Sequence, residues 1–143
     1  MKNLKSLVND CIVSFKSIEE KDWAVKKNPD KWSRKEILGH LIDSAINNLQ
    51  RFTEIQFSPK PYIIRKYGQD DLVKANDYQN VPIGEIIELW VTLNYQIWRV
   101  MQKQTDESLS SEVEVEPGKM QSLKWLMDDY IVHLEHHMKQ IRN

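Results

Sequence analysis

The sequence predicts an all-α protein, a four-helix bundle with a long crossover between helices 2 and 3. Four stretches place apolar residues at helical spacing, and only four glycines and five prolines interrupt the 143 residues. Strand-like alternation is almost absent. About 25 residues separate the second stretch from the third, too many for a tight turn between antiparallel neighbours. We therefore expect one helical-bundle domain over residues 1–143.

The first predicted helix covers about residues 4–21 and ends before "KKNPDKW", where Pro29 prevents its continuation. The only cysteine, Cys11, lies in this helix, so an internal disulfide is excluded and the thiol is expected to pack as a small hydrophobe. The apolar face of the helix consists of Leu4, Leu7, Val8, Cys11, Phe15 and Ile18.

The second predicted helix has the clearest start signal in the chain. In "WSRKEI", Ser33 can cap the helix while Glu36 reaches back, which is a capping box. Trp32 and Ile37 are spaced as a hydrophobic staple. The helix is expected to run to about Phe57, where "SPKPY" ends it.

The remaining elements follow from turn residues and periodicity. The segment "IIRKYGQDDLVKANDYQN" predicts an irregular crossover with one short helix, and Pro82 suits the first turn of helix 3 in "PIGEIIELWVTLNYQIWRVMQKQT". Alternation in "SEVEVEPGKM" around Pro117 and Gly118 predicts a short hairpin. Ser122 then opens helix 4, which continues to about Ile141.

Charge and hydropathy exclude several classes of partner. The net charge is −1 and the pI is near 6.4, with acidic and basic residues mixed along the chain. Binding a nucleic acid needs a basic footprint that this sequence lacks. No apolar run is long enough to span a membrane, and the first residues lack the pattern of a signal peptide. We therefore expect a cytoplasmic protein without nucleic acid or membrane partners.

Three of the four histidines lie in "HLEHHMKQI", near the end of helix 4. At about 100° per residue, His133 and His137 lie on one face at the edge of the apolar stripe, whereas His136 points elsewhere. His40 lies at the edge of the core on helix 2. If these residues meet inside the bundle, three neutral imidazoles with an open fourth position form a zinc site of the catalytic type.

Less specific interpretations of the same residues stay open. A pair of histidines four residues apart is often a surface pair or a satisfied core pair. The stripe formed by Ser44, Asn47 and Arg51 beside His40 could be a solvated helix face. Neither zinc-protease signature is present, because Leu134 follows His133 directly and His136 takes the place of the glutamate in the inverted motif.

The sequence resembles the DinB/YfiT-like superfamily over essentially the whole chain, and two blocks carry the resemblance. The first is "KWSRKEILGHLIDSAINNLQRF", in which the family carries Trp-Ser-x-x-Glu-x-x-x-His-Leu-x-Asp; the second is "YIVHLEHHMKQI", with its His-x-x-His-His-x-x-Gln-Ile ending. The resemblance implies an up-down-down-up bundle. It also implies a divalent metal ion held by His40, His133 and His137, with zinc or nickel favoured and iron, manganese or cobalt also compatible.

The resemblance further implies an enzyme in which the metal ion activates a low-molecular-weight thiol for transfer to a small electrophile, or water in a related hydrolase. In that scheme Arg51 and Asn47 could hold a substrate carboxylate, and Asp43 or Asp129 could orient a ligand imidazole. A homodimer is also expected. The alternative is a non-catalytic, stress-related bundle that binds metal structurally. Haem binding through two histidines is a weaker possibility, because no CxxCH motif is present.

Overall fold

The structure is a computed structural model that describes residues 3–143. Four long helices form the bundle and correspond to the four predicted helices. Short helices, a 3-10 turn and three strands connect them. In chain order the elements are α1 (Leu4–Phe15), α2 (Glu20–Trp23), α3 (Arg34–Glu54), β1 (Tyr62–Ile63), α4 (Gln69–Asn76), the 3-10 turn (Tyr78–Asn80), α5 (Ile83–Gln102), α6 (Asp106–Leu109), β2 (Glu112–Glu116), β3 (Lys119–Ser122) and α7 (Leu123–Arg142).

Helices α3 and α7 are antiparallel neighbours. Arg34, at the start of α3, donates from Nε to the carbonyl oxygen of Ile141, at the end of α7, over 2.7 Å. Two turns further along α3, His40 lies beside His133 of α7. The register of this pair therefore brings the first third of α3 against the second half of α7, where the histidines are.

Helices α1 and α5 are also antiparallel. Phe15, at the end of α1, contacts Trp90 in the first half of α5, with ring centroids 5.6 Å apart. Lys5, at the start of α1, lies over the ring of Trp98 in the second half of α5. Because the crossover returns the chain to the end at which α3 starts, α3 and α5 run parallel. The resulting up-down-down-up bundle is the fold that the sequence resemblance implied.

The prediction for the first helix is wrong beyond Phe15. Helix α1 ends at Phe15, and the chain turns before α2 begins at Glu20. The turn allows Trp23, only 2% exposed, to pack edge-on against Phe15 with ring centroids 5.3 Å apart. In a continuous helix these residues would be about 12 Å apart along the axis. Burial of the indole explains why the turn is preferred to the longer helix.

The start of helix α3 agrees with its predicted capping box. Ser33 Oγ accepts a hydrogen bond from the backbone N–H of Glu36 at 3.1 Å, and Glu36 Oε1 accepts from the backbone N–H of Ser33 at 3.0 Å. The helix ends at Glu54, slightly earlier than predicted. Pro82 is the N-cap residue of α5 rather than part of its first turn. Ser122 caps α7, as its position predicted.

A small sheet lies beside the bundle, and sequence patterns indicated only part of it. The predicted hairpin is present as β2 and β3, with Gly118 at the turn in a left-handed conformation (φ 77°) that suits glycine. Strand β1 was not predicted. It pairs in parallel with β2, placing Tyr62 opposite Val113. This pairing anchors the beginning of the crossover next to α3.

Every helix within residues 3–143 is too short or too polar to cross a lipid bilayer.

The crossover packs tightly on α3 at Gly39. A Cβ atom added at Gly39 would lie 2.2 Å from Cδ2 of Tyr78, in the 3-10 turn of the crossover. The Tyr78 side chain is only 7% exposed, so it has little freedom to move away. The absence of a side chain at Gly39 therefore allows the aromatic ring of Tyr78 to rest directly on the backbone of α3.

Replacing Gly39 by alanine should therefore destabilise the protein, although alanine favours helices. Overpacking of this kind costs about 1–3 kcal/mol, and chemical denaturation would measure it as a lower free energy of unfolding. Gly84→Ala in α5 is the matched control, because nothing lies within 4 Å of the added Cβ atom. That variant should be as stable as the wild type or more stable. Equal stabilities of the two variants would contradict the tight contact.

Candidate metal centre

Three histidines from two helices converge inside the bundle. His40 of α3 and His133 and His137 of α7 each offer one ring nitrogen, and these three nitrogens lie within 4.8 Å of one another. The Nε2 atoms of His40 and His133 are 3.3 Å apart. His136 is exposed and is not part of this group. The structure thus brings together the three predicted ligands and separates them from the fourth histidine.

The local sequence explains how each imidazole is positioned. His40 is 1% exposed, and the indole of Trp32 packs on its ring with centroids 5.0 Å apart. His133 and His137 are four residues apart on α7, so both rings project from the same helix face, and their centroids are 4.6 Å apart. One residue from α3 and one helical turn of α7 are therefore sufficient to form the cluster.

The donor set fits a divalent metal ion. Two nitrogens bound to one tetrahedral zinc ion at about 2.0–2.1 Å are about 3.3–3.4 Å apart, close to the separation found between His40 and His133. His137 Nδ1 lies 2.8 Å from Gln140 Oε1, an arrangement in which the Nδ1–H donates and Nε2 keeps its lone pair. Imidazole nitrogens suit zinc, nickel, iron and cobalt alike, so the residues do not select one metal.

Burial keeps the three imidazoles neutral, which is the form that binds metal. Loss of solvation, followed by repulsion from the neighbouring histidines, lowers the pKa of His40 from 6.5 to about 4. The same causes lower the pKa of His133 to about 4, and burial also lowers the pKa of His137. A cluster that resists protonation near neutral pH can bind a cation without first losing protons.

Asp43, a predicted orienting residue, takes part in a buried network with the crossover. Its Oδ1 atom accepts hydrogen bonds from Tyr78 Oη at 2.6 Å and from Asn76 Nδ2 at 3.0 Å. The carboxylate is 2% exposed, and burial raises its pKa. Its second oxygen, Oδ2, is buried without a hydrogen-bond partner within residues 3–143.

Arg51, Asn47 and Asp129 were the other predicted site residues. A small cavity of about 120 Å³ next to His133 is lined by Arg51 and Asp129, together with Tyr67 and three polar residues. Asn47 instead donates to the backbone carbonyl of Asp43 at 2.8 Å and faces a larger groove of about 680 Å³. Arg51 and Tyr67 line both spaces, so they form the boundary between the cavity and the groove.

Arg51 is half-buried, and its known contacts leave its charge uncompensated. Its guanidinium donates to the backbone carbonyl of Arg65 at 2.8 Å and lies over the ring of Tyr67, 5.4 Å from the centroid. It forms no ion pair with a carboxylate in the part of the chain that the structure describes. Burial lowers its pKa. A partly desolvated cation of this kind favours the binding of an anion.

Several residues near the site had no sequence signal. Tyr78, Asn76 and Tyr67 come from the crossover, whose irregular sequence gives no periodicity from which a contact with α3 could be inferred. Trp32 was predicted as part of a staple, and its packing on His40 was not foreseen. Proximity of these residues to the histidines depends on how the crossover folds back over α3.

A four-helix bundle with three histidines converging between its second and fourth long helices defines a class of helical proteins with a candidate metal centre in the interior. The chain belongs to the DinB superfamily, whose sequence profile matches residues 9–141. This match confirms the family that the two sequence blocks indicated. Comparison with curated protein sequences gives no match.

Two solved structures share the fold. YfiT from Bacillus subtilis, described as a probable metal-dependent hydrolase with an unusual four-helix bundle topology, is 17% identical with a TM-score of 0.84; the alignment covers 96% of this chain and 79% of YfiT. A mycothiol-dependent maleylpyruvate isomerase is 11% identical with a TM-score of 0.63, over 96% of this chain and 55% of the isomerase. At these identities the similarity establishes the fold alone.

The lowered pKa values of the cluster predict how stability depends on pH in the metal-free protein. Below pH 6.5 an imidazole in the unfolded chain binds a proton, whereas His40 and His133 in the folded chain bind one only near pH 4. The free energy of unfolding should therefore decrease as the pH falls from about 6.5 to about 4. Urea unfolding at several pH values in the presence of a chelator would measure this dependence.

Carboxyl groups also titrate in this pH range, so variants are needed to assign the decrease in the free energy of unfolding to the histidine cluster. Replacing His133 by glutamine should make the decrease shallower. His136→Gln should change it less, because His136 is exposed and its repulsion is the smallest of the three causes that lower the pKa of His133. The explanation fails if both variants show the slope of the wild type.

Proposed function

We propose that this protein is a divalent-metal-dependent enzyme that transfers a low-molecular-weight thiol to a small electrophile, with hydrolysis by water as the related reaction. The observation that carries the proposal is the convergence of His40, His133 and His137 next to a cavity. A divalent cation bound by three imidazoles lowers the pKa of a thiol or water that binds to it and supplies a nucleophile at neutral pH.

The residues around the cluster provide the other requirements of such a reaction. His40 is buried and covered by Trp32, so one side of the site is closed to water. The small cavity beside His133 leaves the other side accessible. Zinc or nickel is the metal that we favour, with iron, cobalt and manganese compatible with the same nitrogens.

Arg51 is the residue that we propose to bind the substrate. Its guanidinium is partly buried, has no carboxylate partner within residues 3–143, and lies on the boundary between the cavity and the larger groove. Arginine binds carboxylates through parallel hydrogen bonds. The substrate in this proposal carries a carboxylate that contacts Arg51, while its reacting group lies in the cavity next to His133. Asn47 faces the groove and could contribute a further donor.

The metal site can be tested on protein that is purified without a nickel resin. Mass spectrometry of the metal content should find about one equivalent of a divalent transition metal in the wild type. The variants His40→Ala, His133→Ala and His137→Ala should each lose most of it, since two imidazoles remain. His136→Ala is the matched control on the same helix and should keep the metal. Wild-type protein that stays metal-free when supplied with zinc or nickel would contradict the proposal.

The role of Arg51 can be tested with two thiols that differ in charge. Mercaptosuccinate carries two carboxylates, whereas 2-mercaptoethanol carries none, and both can be assayed with a fluorogenic bimane electrophile. Arg51→Gln should raise KM for mercaptosuccinate by about tenfold or more, as expected for the loss of a hydrogen bond to a charged group, and change KM for 2-mercaptoethanol little.

Arg99→Gln, which changes an exposed arginine on α5, is the control and should leave both KM values unchanged. Equal effects of Arg51→Gln on the two thiols would exclude a carboxylate contact. A metal-loaded wild type without turnover on any thiol or ester would favour the non-catalytic alternative.

A further inference from the structure

Two buried polar atoms near the cluster lack hydrogen-bond partners and are chemically complementary. Within residues 3–143, four such side-chain atoms are found: His40 Nδ1, Asp43 Oδ2, Trp90 Nε1 and Trp98 Nε1. The two indole nitrogens are donors, and an imidazole nitrogen is a donor in one tautomer. Asp43 Oδ2 is the only carboxylate oxygen of the four.

The donor set of the metal centre determines the tautomer of His40. Its Nε2 atom faces His133 Nε2 at 3.3 Å, so Nε2 is the nitrogen that can share a ligand with α7. A neutral imidazole that offers Nε2 as a lone pair carries its proton on Nδ1. That Nδ1–H is buried and requires an acceptor, as in most metal sites that contain histidine.

Asp43 is the candidate acceptor on the same helix. It lies three residues after His40 on α3, a spacing that makes two side chains neighbours on a helix surface. Both residues are almost completely buried, with 1% exposure for His40 and 2% for Asp43. Water therefore has little access to either group.

Residues of the crossover donate hydrogen bonds to the other oxygen of the Asp43 carboxylate, Oδ1. Tyr78 Oη and Asn76 Nδ2 both donate to Oδ1, at 2.6 Å and 3.0 Å, and leave Oδ2 available. Tyr78 can approach because Gly39 has no side chain. The carboxylate is thus fixed from the crossover side with its second oxygen unused.

We propose that Asp43 is a positioning residue of the metal centre: its Oδ2 atom accepts the Nδ1–H of His40 when His40 Nε2 binds the metal ion. The inference rests on the metal site of the proposed function. It adds a chain of contacts that runs from Tyr78 and Asn76 through Asp43 to His40. The crossover therefore sets the orientation of a metal ligand without touching the metal ion.

The test compares zinc affinities of the full-length protein, measured by competition with a chromophoric chelator. Asp43→Asn has a single oxygen, which cannot serve both the crossover donors and His40, so its zinc Kd should rise about 10- to 100-fold. Tyr78→Phe removes one donor to Oδ1 and should raise Kd in the same direction by less. Asp77→Asn removes a carboxylate that, among the described residues, is bonded by Asn80 alone, and this variant should bind zinc as the wild type does.

Spectroscopy separates positioning from a general loss of structure. In the zinc-loaded, 15N-labelled wild type, the Nδ1–H proton of His40 should give a downfield, slowly exchanging resonance, which should be lost in Asp43→Asn. The visible absorption of the cobalt-substituted protein should change in the same variant. Melting temperatures of the metal-free variants measure the structural contribution independently.

Each outcome has a defined meaning. The inference is overturned if Asp43→Asn weakens zinc binding no more than Asp77→Asn and keeps the Nδ1–H resonance. If Asp43→Asn does not fold, a Tyr78→Phe variant with wild-type affinity and an unchanged cobalt spectrum overturns it. A wild type that binds no zinc would refute the proposed function itself. This failure is seen in the wild type alone, so it is distinguishable from failure of the role proposed for Asp43.

Discussion

The close approach of three imidazoles between α3 and α7 is the constraint on which the rest of the structure depends. Rings with nitrogens within 4.8 Å of one another must stay neutral, because protonated imidazoles would repel each other in a site with little water. The antiparallel register from Arg34 and Ile141 to His40 and His133 maintains this approach. A one-residue shift of either helix would rotate a histidine by about 100°, away from the cluster.

The crossover contributes directly to the site. It contacts α3 at two places that follow His40 in the helix. Tyr78 and Asn76 donate hydrogen bonds to Asp43, and Arg51 donates one to the carbonyl oxygen of Arg65. Pairing of β1 with β2 anchors its beginning. Because α3 and α5 run parallel, the segment that joins them must pass back along the length of the bundle. Its polar and aromatic side chains cover α3, the helix that carries His40.

Local signals predicted the parts of the fold that local interactions stabilise. The Ser33 and Glu36 capping box and the orientation of His133 and His137 depend on residues within one or two helical turns, so their sequence spacing was sufficient. The break after Phe15 depends on a tertiary contact of Trp23, and periodicity therefore extended the helix too far. Strand β1 has two residues and a partner about fifty positions away, which leaves no pattern to detect.

The sequence by itself determined four amphipathic helices, their start signals, the family, and the helix faces on which His40, His133 and His137 lie, because helical geometry converts spacing directly into direction. Only the tertiary structure decided that these faces meet, that Arg51 and Tyr67 separate the cavity from the groove, and that Asp43 is bound by Tyr78 and Asn76. The reason is physical: contacts between residues that are distant in sequence depend on how the helices pack and how the crossover folds, and no local pattern encodes either one.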